Sequence, residues 1–295
     1  MISAITNASS LNANRYLNKS NKALDTIYKR LSSGLRINSA ADDAAGLQIS
    51  NRLTSQINGL KQGNKNAATG LAFAKTVEGA LDETTEMLQK IRTLANQAAT
   101  GTNTSAERTA IQAEVDQLCS EITRIACKTT FAGKTVLEGK GNGLVDSNGK
   151  VVLQVGANAN DTISISLSSG FSVQGIASNT GVGTAALQTH SGITAFSVSS
   201  AQSAQKTLED IDKFIASVDA SRGQLGAVQN RLESTISNQE NIIENESDAR
   251  SKIRDTDYAE EAANLTAQNI IQQMASAMLT QGNMRGQLAL SLITG

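Results

Sequence analysis

The sequence contains no proline, no tryptophan, a single histidine and only 3% aromatic residues. Without proline, no position in the 295-residue chain interrupts a helix through a ring clash. One histidine gives little basis for a histidine-ligated metal site or a histidine-dependent catalytic triad. The composition therefore favours a helical structural protein over an enzyme, and we expect no cofactor and no metal site.

Excess charge of one sign and long hydrophobic runs are also lacking. Lys+Arg 26 against Asp+Glu 27 leaves a net charge of −1, which gives no electrostatic footprint for nucleic acid or an anionic membrane. No run approaches about 18 apolar residues, so we expect no membrane insertion, and the first residues lack the basic region of a signal peptide. Two cysteines, Cys119 and Cys127, are too few for a disulfide framework. On one helix they would be separated by about 12 Å of rise, so we expect free thiols.

The segments from about 40 to 128 and from about 200 to 290 are predicted to be long helices, and apolar residues repeat every seven positions within each of them. Such spacing is typical of a coiled-coil seam. A break at 100–103 precedes Thr104 and Glu107, which have the spacing of a capping box. Arg222 and Gln229 interrupt the second seam and are expected to fix its register. The predicted seam consists of Leu81, Leu88, Ile91, Leu118, Ile122, Leu208, Ile211, Ile215, Val218, Leu225 and Leu232.

Between residues 135 and 170 the hydrophobic period falls towards 2. Asn148-Gly149 predicts a β-hairpin turn because both positions favour positive φ. A second turn at 158–161 precedes a stretch in which Ile163, Ile165 and Leu167 alternate with polar residues, as in a half-buried strand. Residues 162–205 contain no charged side chain, which predicts a loop-rich excursion. This excursion is either a small β domain or an exposed loop, which is plain or modified.

Both ends of the chain carry weak apolar stripes among Asn, Gln, Ser and Thr. Helices of this kind are marginal alone in water, because helix stability comes mostly from packing one face. We therefore expect the ends to become ordered only against each other and against neighbouring copies of the chain. The predicted assembly residues are Leu17, Leu24, Ile27 and Leu31 at the start, and Leu265, Ile271, Met274, Met278, Leu288 and Leu292 at the end.

Two long motifs in the first third of the chain are RLSSGLRINSAADDAAG at 30–46 and LQKIRTLANQA at 88–98. The first is similar to the amino-terminal signature of bacterial flagellins, and the second to their long helical segment. LQVGANANDTISISL at 153–167 resembles the family's β-hairpin, and ARSKIRDTDYAEEAANLTAQNIIQQ at 249–273 the carboxy-terminal signature. The matches follow in the right order and cover nearly the whole chain except about 170–198.

The resemblance implies a mainly α fold, in which long antiparallel helices form a coiled-coil bundle from both termini and the middle holds a small β-hairpin region. It implies a terminal coiled-coil domain (D0-like) at 1–45 and 254–295, and a helical bundle with a β-hairpin (D1-like) at 46–169 and 199–253. Residues 170–198 would be a short, variable, exposed insertion. The implied function is a structural subunit of the helical flagellar filament used for motility, exported unfolded by a type III apparatus without a cleaved signal peptide, and folded on assembly outside the cell.

The resemblance also implies partners. These are other copies of the chain in a homopolymer, an export chaperone, and the cap and hook-junction proteins. The segment from Leu88 resembles the surface read by the host Toll-like flagellin receptor, where lysine stands at 90 in place of the usual arginine. The candidate receptor residues are Leu88, Gln89, Lys90, Arg92, Leu94 and Glu114. The alternative is that these side chains serve only contacts between subunits.

Three other functions compete with the filament subunit. A hook–filament junction protein shares the paired terminal helices, but such proteins tend to place proline where Ala44 follows Asp43 here. An enzyme carried on the same scaffold would need a larger insertion and more than one histidine. A generic coiled-coil adaptor would not need charge-poor ends.

Overall fold

The computed structural model describes residues 7–141, 143–167, 169–182, 187–190 and 193–294, and gives the backbone alone for 188–190, 193 and 285–294. Within these residues the fold is mainly α, as the sequence predicts. The helices are α1 (Ala8–Ser33), α2 (Ala44–Ala99), α3 (Ser105–Lys128), α4 (Val173–Thr180), α5 (Ala201–Arg254) and α6 (Tyr258–Thr294). The strands are β1 (Thr130–Phe131), β2 (Lys134–Thr135), β3 (Lys150–Gln154), β4 (Thr162–Ser166), β5 (Leu187–His190) and β6 (Ile193–Phe196), which pair as three antiparallel hairpins. None of the described helices is both long enough and apolar enough to cross a membrane.

The predicted capping box begins α3. The Thr104 Oγ1 accepts from the Glu107 amide at 3.3 Å, and the Glu107 carboxylate accepts from the Thr104 amide at 2.6 Å. Two free amides are satisfied reciprocally in this way. Hydrogen bonds from the Thr104 amide and hydroxyl lower the pKa of the exposed Glu107 carboxyl.

Contacts between residues divide the chain into two compact units. The terminal unit contains the residues up to Ile57 and from Glu244 onwards, and the central unit contains Asn58–Ile243. The domain boundaries expected from the sequence, at 45 and 254, lie nearer the chain ends than these divisions. Helices α2 and α5 each contribute residues to both units.

The core of the central unit follows the seven-residue repeat. Eight of the predicted seam side chains are at most 2% exposed, namely Leu81, Leu88, Ile91, Ile122, Ile211, Val218, Leu225 and Leu232. Leu118, Leu208 and Ile215 are half-buried and pack against the same core. The sequence did not single out Phe214, which is fully buried with its ring centroid 4.9 Å from that of Phe196 in an edge-to-face contact.

Polar contacts join α2 and α5, which run antiparallel in the central unit. The Arg92 guanidinium lies 2.7 Å from the Asp212 carboxylate, and Arg222 lies 2.8 Å from Asp82. The Gln229 side-chain amide donates to Glu78 at 2.7 Å. Arg222 and Gln229, which interrupt the apolar seam, thus bind carboxylates on the facing helix.

The predicted hairpin at Asn148-Gly149 is wrong. These residues do form a tight turn, since Gly149 has φ +73° and its amide donates to Asp146 at 2.8 Å. The strand pair lies instead across the second predicted turn, where Val151 pairs with Ile165 and Leu153 with Ile163. On the amino-terminal side, Leu144 donates its amide to Thr135 and forms no strand with β3, so the Asn-Gly turn connects a loop to a strand.

The expectation that 170–198 is an exposed insertion is also wrong for its described residues. Helix α4 places Val173, Ile176 and Ala177 at 0–2% exposure, and strand β6 buries Ala195 and Phe196 to 1% or less. The side chain of Gln112 on α3 holds this segment by donating to the Phe196 carbonyl at 2.8 Å and accepting from the Val198 amide at 2.6 Å. The absence of charge reflects burial, because uncharged side chains can be buried without a partner ion.

The β3–β4 hairpin loop lies directly against a glycine of α2. A Cβ at Gly63 would overlap the carbonyl of Val155, so no larger residue fits there without movement of the loop. The same carbonyl accepts a 2.6 Å hydrogen bond from the side-chain amide of Gln239 on α5, which is 6% exposed. The close packing at Gly63 and the hydrogen bond from Gln239 therefore position the hairpin against α2 and α5.

Candidate functional site

Helices α1 and α6 form an antiparallel pair whose contacts include several hydrogen bonds from polar side chains. Asn7 donates its side-chain amide to the Gly282 carbonyl at 2.7 Å, and Gln272 donates to Asn21 at 2.7 Å. Next to Asn21, the buried Ser20 hydroxyl donates to the Gln268 carbonyl at 3.2 Å. Amide and hydroxyl side chains thus add polar contacts to the apolar ones between the two helices.

The predicted assembly residues divide between two faces of this pair. Leu24 and Ile27 are 5% and 7% exposed, and Leu17, Leu31 and Leu265 are half-buried, so these five lie towards the partner helix. Ile271, Met274 and Met278 are 46%, 61% and 63% exposed. Leu288 and Leu292 lie outside the residues whose side chains the structure describes.

The outward residues line a shallow groove of about 560 Å³ on the helix pair. Ile270, Ile271, Met274 and Met278 contribute one wall from α6, and Tyr16 contributes from α1. Ile270 is 56% exposed, and the sequence reasoning did not select it because it stands beside the chosen Ile271. We call this surface, defined by Tyr16, Ile270, Ile271, Met274 and Met278, the apolar groove.

At the other end of the pair, an ion pair lies near the turn that ends α1. The Arg30 guanidinium is 3.4 Å from the Glu261 carboxylate, whose side chain is 7% exposed. Gly34 ends α1 in the left-handed conformation, with φ +71°, and donates its amide to Arg30 at 2.8 Å. Glycine adopts this conformation without the steric cost that a side chain imposes.

The loop between α1 and α2 pairs with the chain between α5 and α6. The Arg36 amide donates to the Arg254 carbonyl at 2.6 Å, and Thr256 donates to Gly34 at 3.0 Å. The Asp42 carboxylate accepts from the Ser39 amide at 2.8 Å and from the Asn38 amide, and these bonds lower the pKa of the exposed Asp42 carboxyl. Its neighbour Asp43 accepts from the Gly46 amide at 2.9 Å and so caps α2, as expected for an acidic residue at a helix start.

The candidate receptor residues are only partly surface residues. Gln89, Lys90 and Arg92 on α2 are exposed, as is Glu114 on α3, and Leu94 is half-buried. Leu88 is fully buried in the central core, so its side chain cannot be part of an outer surface. The sequence reasoning assigned Leu88 both to the seam and to this surface, and the structure places it in the seam.

Among the described residues, no group of three or more His, Cys, Asp and Glu side chains is arranged to hold a metal ion. Cys119 and Cys127 are free thiols on α3, and burial raises the pKa of Cys119 to about 12. A thiol of this kind is protonated and unreactive at neutral pH.

Comparison with known proteins identifies the family. A model described as the bacterial flagellin N-terminal helical region matches residues 5–142, and one described as the bacterial flagellin C-terminal helical region matches residues 208–293. A flagellin of Bacillus subtilis is 40% identical over 299 aligned positions, which cover 97% of this chain and 98% of that protein. A flagellin of Halalkalibacterium halodurans is 39% identical over 291 positions, which cover 97% and 98%.

A solved structure of a proposed flagellar hook-associated protein from Vibrio parahaemolyticus superposes with a TM-score of 0.56. It covers 72% of this chain and 100% of that chain at 16% identity, and therefore shows a shared fold alone. The family models and the relatives that match over nearly the full length show the family as well as the fold. The chain belongs to the bacterial flagellin family and is a structural subunit of the flagellar filament.

Proposed function

We propose that the filament is held together through the terminal unit, with the apolar groove of each subunit packed against neighbouring copies. The observation that carries this proposal is the exposure of Met274 and Met278, at 61% and 63%, beside Ile270 and Ile271 on one face of α6. An exposed apolar patch of this kind marks an interaction surface. A second copy is the occupant that fits best, because the family builds a polymer of identical subunits.

We propose that the groove packs against a different surface of the neighbouring subunit, and not against a second groove. Contacts between unlike surfaces of identical subunits generate a helical polymer when their rotation does not close. Each subunit would then supply the apolar surface that its neighbour's terminal helices lack.

Terminal helices that are only marginally stable on their own also suit a chain that is exported unfolded. We propose the D0-like and D1-like partition, with boundaries at 45 and 254, and passage of the unfolded chain through the flagellum's own export channel. A chain without proline avoids slow cis–trans steps when it refolds at the growing tip of the filament, which lies outside the cell. The export chaperone, the cap and the hook-junction proteins would engage the terminal helices before or during assembly.

Charge placed in the groove tests the interface. Met278→Asp introduces a carboxylate that would be buried without a partner, so we expect the purified chain to form no filaments by electron microscopy and sedimentation. Met278→Leu keeps an apolar side chain of similar volume and should polymerise as the unchanged chain does. Normal polymerisation of Met278→Asp would contradict the proposal.

The purified chain also distinguishes a filament subunit from a junction protein. A filament subunit polymerises with itself, whereas a junction protein forms no long filaments alone. We expect long filaments from the unchanged chain, and their absence under all polymerising conditions would favour the junction protein.

We further propose that the exposed residues Gln89, Lys90, Arg92 and Glu114, together with the half-buried Leu94, bind the host Toll-like flagellin receptor. Arg92 is 55% exposed on its side chain while paired with Asp212, so it can contact a partner. A cell reporter assay with purified monomer tests this. Arg92→Ala should lower the response, and Lys65→Ala, which removes an exposed cation elsewhere on α2, should not. Equal responses from the two variants would exclude this surface.

A further inference from the structure

We propose that Met274 and Met278 form an oxidation-sensitive site that controls assembly, in which hydroperoxides convert both thioethers to sulfoxides in the unassembled chain and thereby block polymerisation. The inference rests on the proposed use of the apolar groove as the contact between subunits. It adds a chemical modification, and a class of reactant, to that surface.

Position and exposure make the two sulfurs a joint target. Met274 and Met278 are four residues apart on α6, so they lie on the same side of the helix. Both are more than three-fifths exposed and both line the groove with Ile270, Ile271 and Tyr16. Any oxidant that reaches the groove therefore reaches both side chains.

The reaction needs only a peroxide. The thioether sulfur attacks the terminal oxygen of the hydroperoxide, the O–O bond breaks, and a sulfur–oxygen bond forms. Sulfur loses two electrons, and the peroxide is reduced to the alcohol, or to water when hydrogen peroxide is the oxidant. A thioether carries no ionisable proton, so access of the oxidant and not a pKa selects the site.

Oxidation would change the groove from apolar to polar. A sulfoxide is a strong acceptor, and burying it in an apolar contact without a donor costs free energy. Each oxidised subunit carries two sulfoxides, so every contact between subunits along the polymer would be weakened. Once neighbouring subunits cover the groove, the sulfurs lose their access, so finished filaments should resist the oxidant that disables monomers.

The other methionines provide internal comparisons. Met87 is 7% exposed in the core of the central unit and should react slowly while that unit is folded. Met284 is 51% exposed on α6 but does not line the groove, so it should react without being part of the contact. One treatment of the full chain thus gives a graded pattern.

The experiment treats purified full-length monomer with hydrogen peroxide, removes the excess with catalase, and maps each methionine by peptide mass spectrometry. We expect one added oxygen on Met274 and Met278 long before Met87, and a critical concentration for polymerisation raised at least about tenfold. Methionine sulfoxide reductases of both stereospecificities should restore polymerisation. The double variant Met274→Leu, Met278→Leu is compared with its own untreated sample, and peroxide should leave its critical concentration unchanged. A rise by the same factor as in the original chain would overturn the inference.

Peroxide treatment of finished filaments separates this inference from the interface on which it rests. If the interface is wrong, Met274 and Met278 will oxidise in filaments as fast as in monomer. If the interface is right and the inference wrong, both will be protected in filaments, yet oxidised monomer will still polymerise normally. Protection in filaments together with failure of oxidised monomer to polymerise supports both.

Discussion

The two units of the molecule differ in where they put their large apolar side chains. In the central unit Leu81, Ile91 and Phe214 are completely buried. Among the described residues, the large exposed hydrophobic side chains other than Val152 and Ile242 all belong to the terminal unit. The central unit buries these side chains within one chain, whereas the terminal unit leaves several of them exposed. In our proposal the exposed side chains pack against other chains, so stability and assembly would depend on different parts of the sequence.

The largest expected effect comes from a large-to-small change in the central core. Phe214→Ala removes a fully buried ring and should lower the free energy of unfolding by about 3–5 kcal/mol, measured by urea denaturation and circular dichroism. The matched change Ile271→Ala in the apolar groove should leave that transition in place but weaken polymerisation. If Ile271→Ala destabilised the monomer as strongly as Phe214→Ala, the contrast between the units would fail.

A smaller effect is expected where the hairpin meets α2. Gly63→Ala places a methyl group against the Val155 carbonyl, so the loop must move and the Gln239 hydrogen bond is strained. We expect a loss of about 1–3 kcal/mol in the stability of the central unit. Gly79→Ala, on the same helix with open space around its Cβ, is the control and should be neutral or stabilising.

The buried thiol makes the stability of the central unit depend on alkaline pH. The pKa of Cys119 is raised from 9.0 to about 12, so between these values the unfolded chain releases a proton that the folded chain keeps. Stability from this group is fully present below pH 9 and falls as the pH rises, by at most about 1.4 kcal/mol per pH unit. In Cys119→Ala the free energy of unfolding, measured by urea denaturation from pH 8 to 10, should fall less steeply with pH than in the unchanged chain. An unchanged slope would show that other groups cause it.

The smallest effect is expected at an exposed ion pair between α2 and α5. Asp82→Asn removes the charge facing Arg222, and because the Asp82 side chain is 59% exposed the cost should stay within about 1 kcal/mol. The effect should shrink further in 1 M salt, which screens exposed charges. A loss as large as that of Phe214→Ala would mean that charges, and not the apolar core, hold the central unit together.

Much of the central unit could be predicted because its signals are local and repeated. The seven-residue spacing of Leu81 and Leu88 places both on one helix face, and any partner helix then buries them. Thr104 and Glu107 cap α3 through contacts within one turn. Such features depend on neighbours in the sequence and need no knowledge of the tertiary fold.

The predictions that failed concern features that depend on contacts between residues distant in the sequence. Asn148-Gly149 forms its turn, but β3 pairs with β4, which follows it in the sequence. The residues before the turn form no strand with β3, and the Leu144 amide donates to Thr135 instead. An uncharged stretch such as that around Phe196 is compatible with an exposed loop or with a buried segment. It is buried here, where its backbone accepts a hydrogen bond from Gln112, which is 84 residues away in sequence. At the candidate site the sequence identified the terminal stripe, but not that Leu24 turns inward while Met278 turns outward.

Hydrogen exchange measured on monomer and on filament tests the central claim most directly. The terminal helices α1 and α6 should exchange rapidly in dilute monomer, in which α2, α3 and α5 of the central unit are protected. In filaments the same terminal amides should become strongly protected, because neighbouring subunits then cover the apolar groove. Strong protection of α1 and α6 in dilute monomer, unchanged on polymerisation, would contradict the claim that these helices are completed by other copies of the chain.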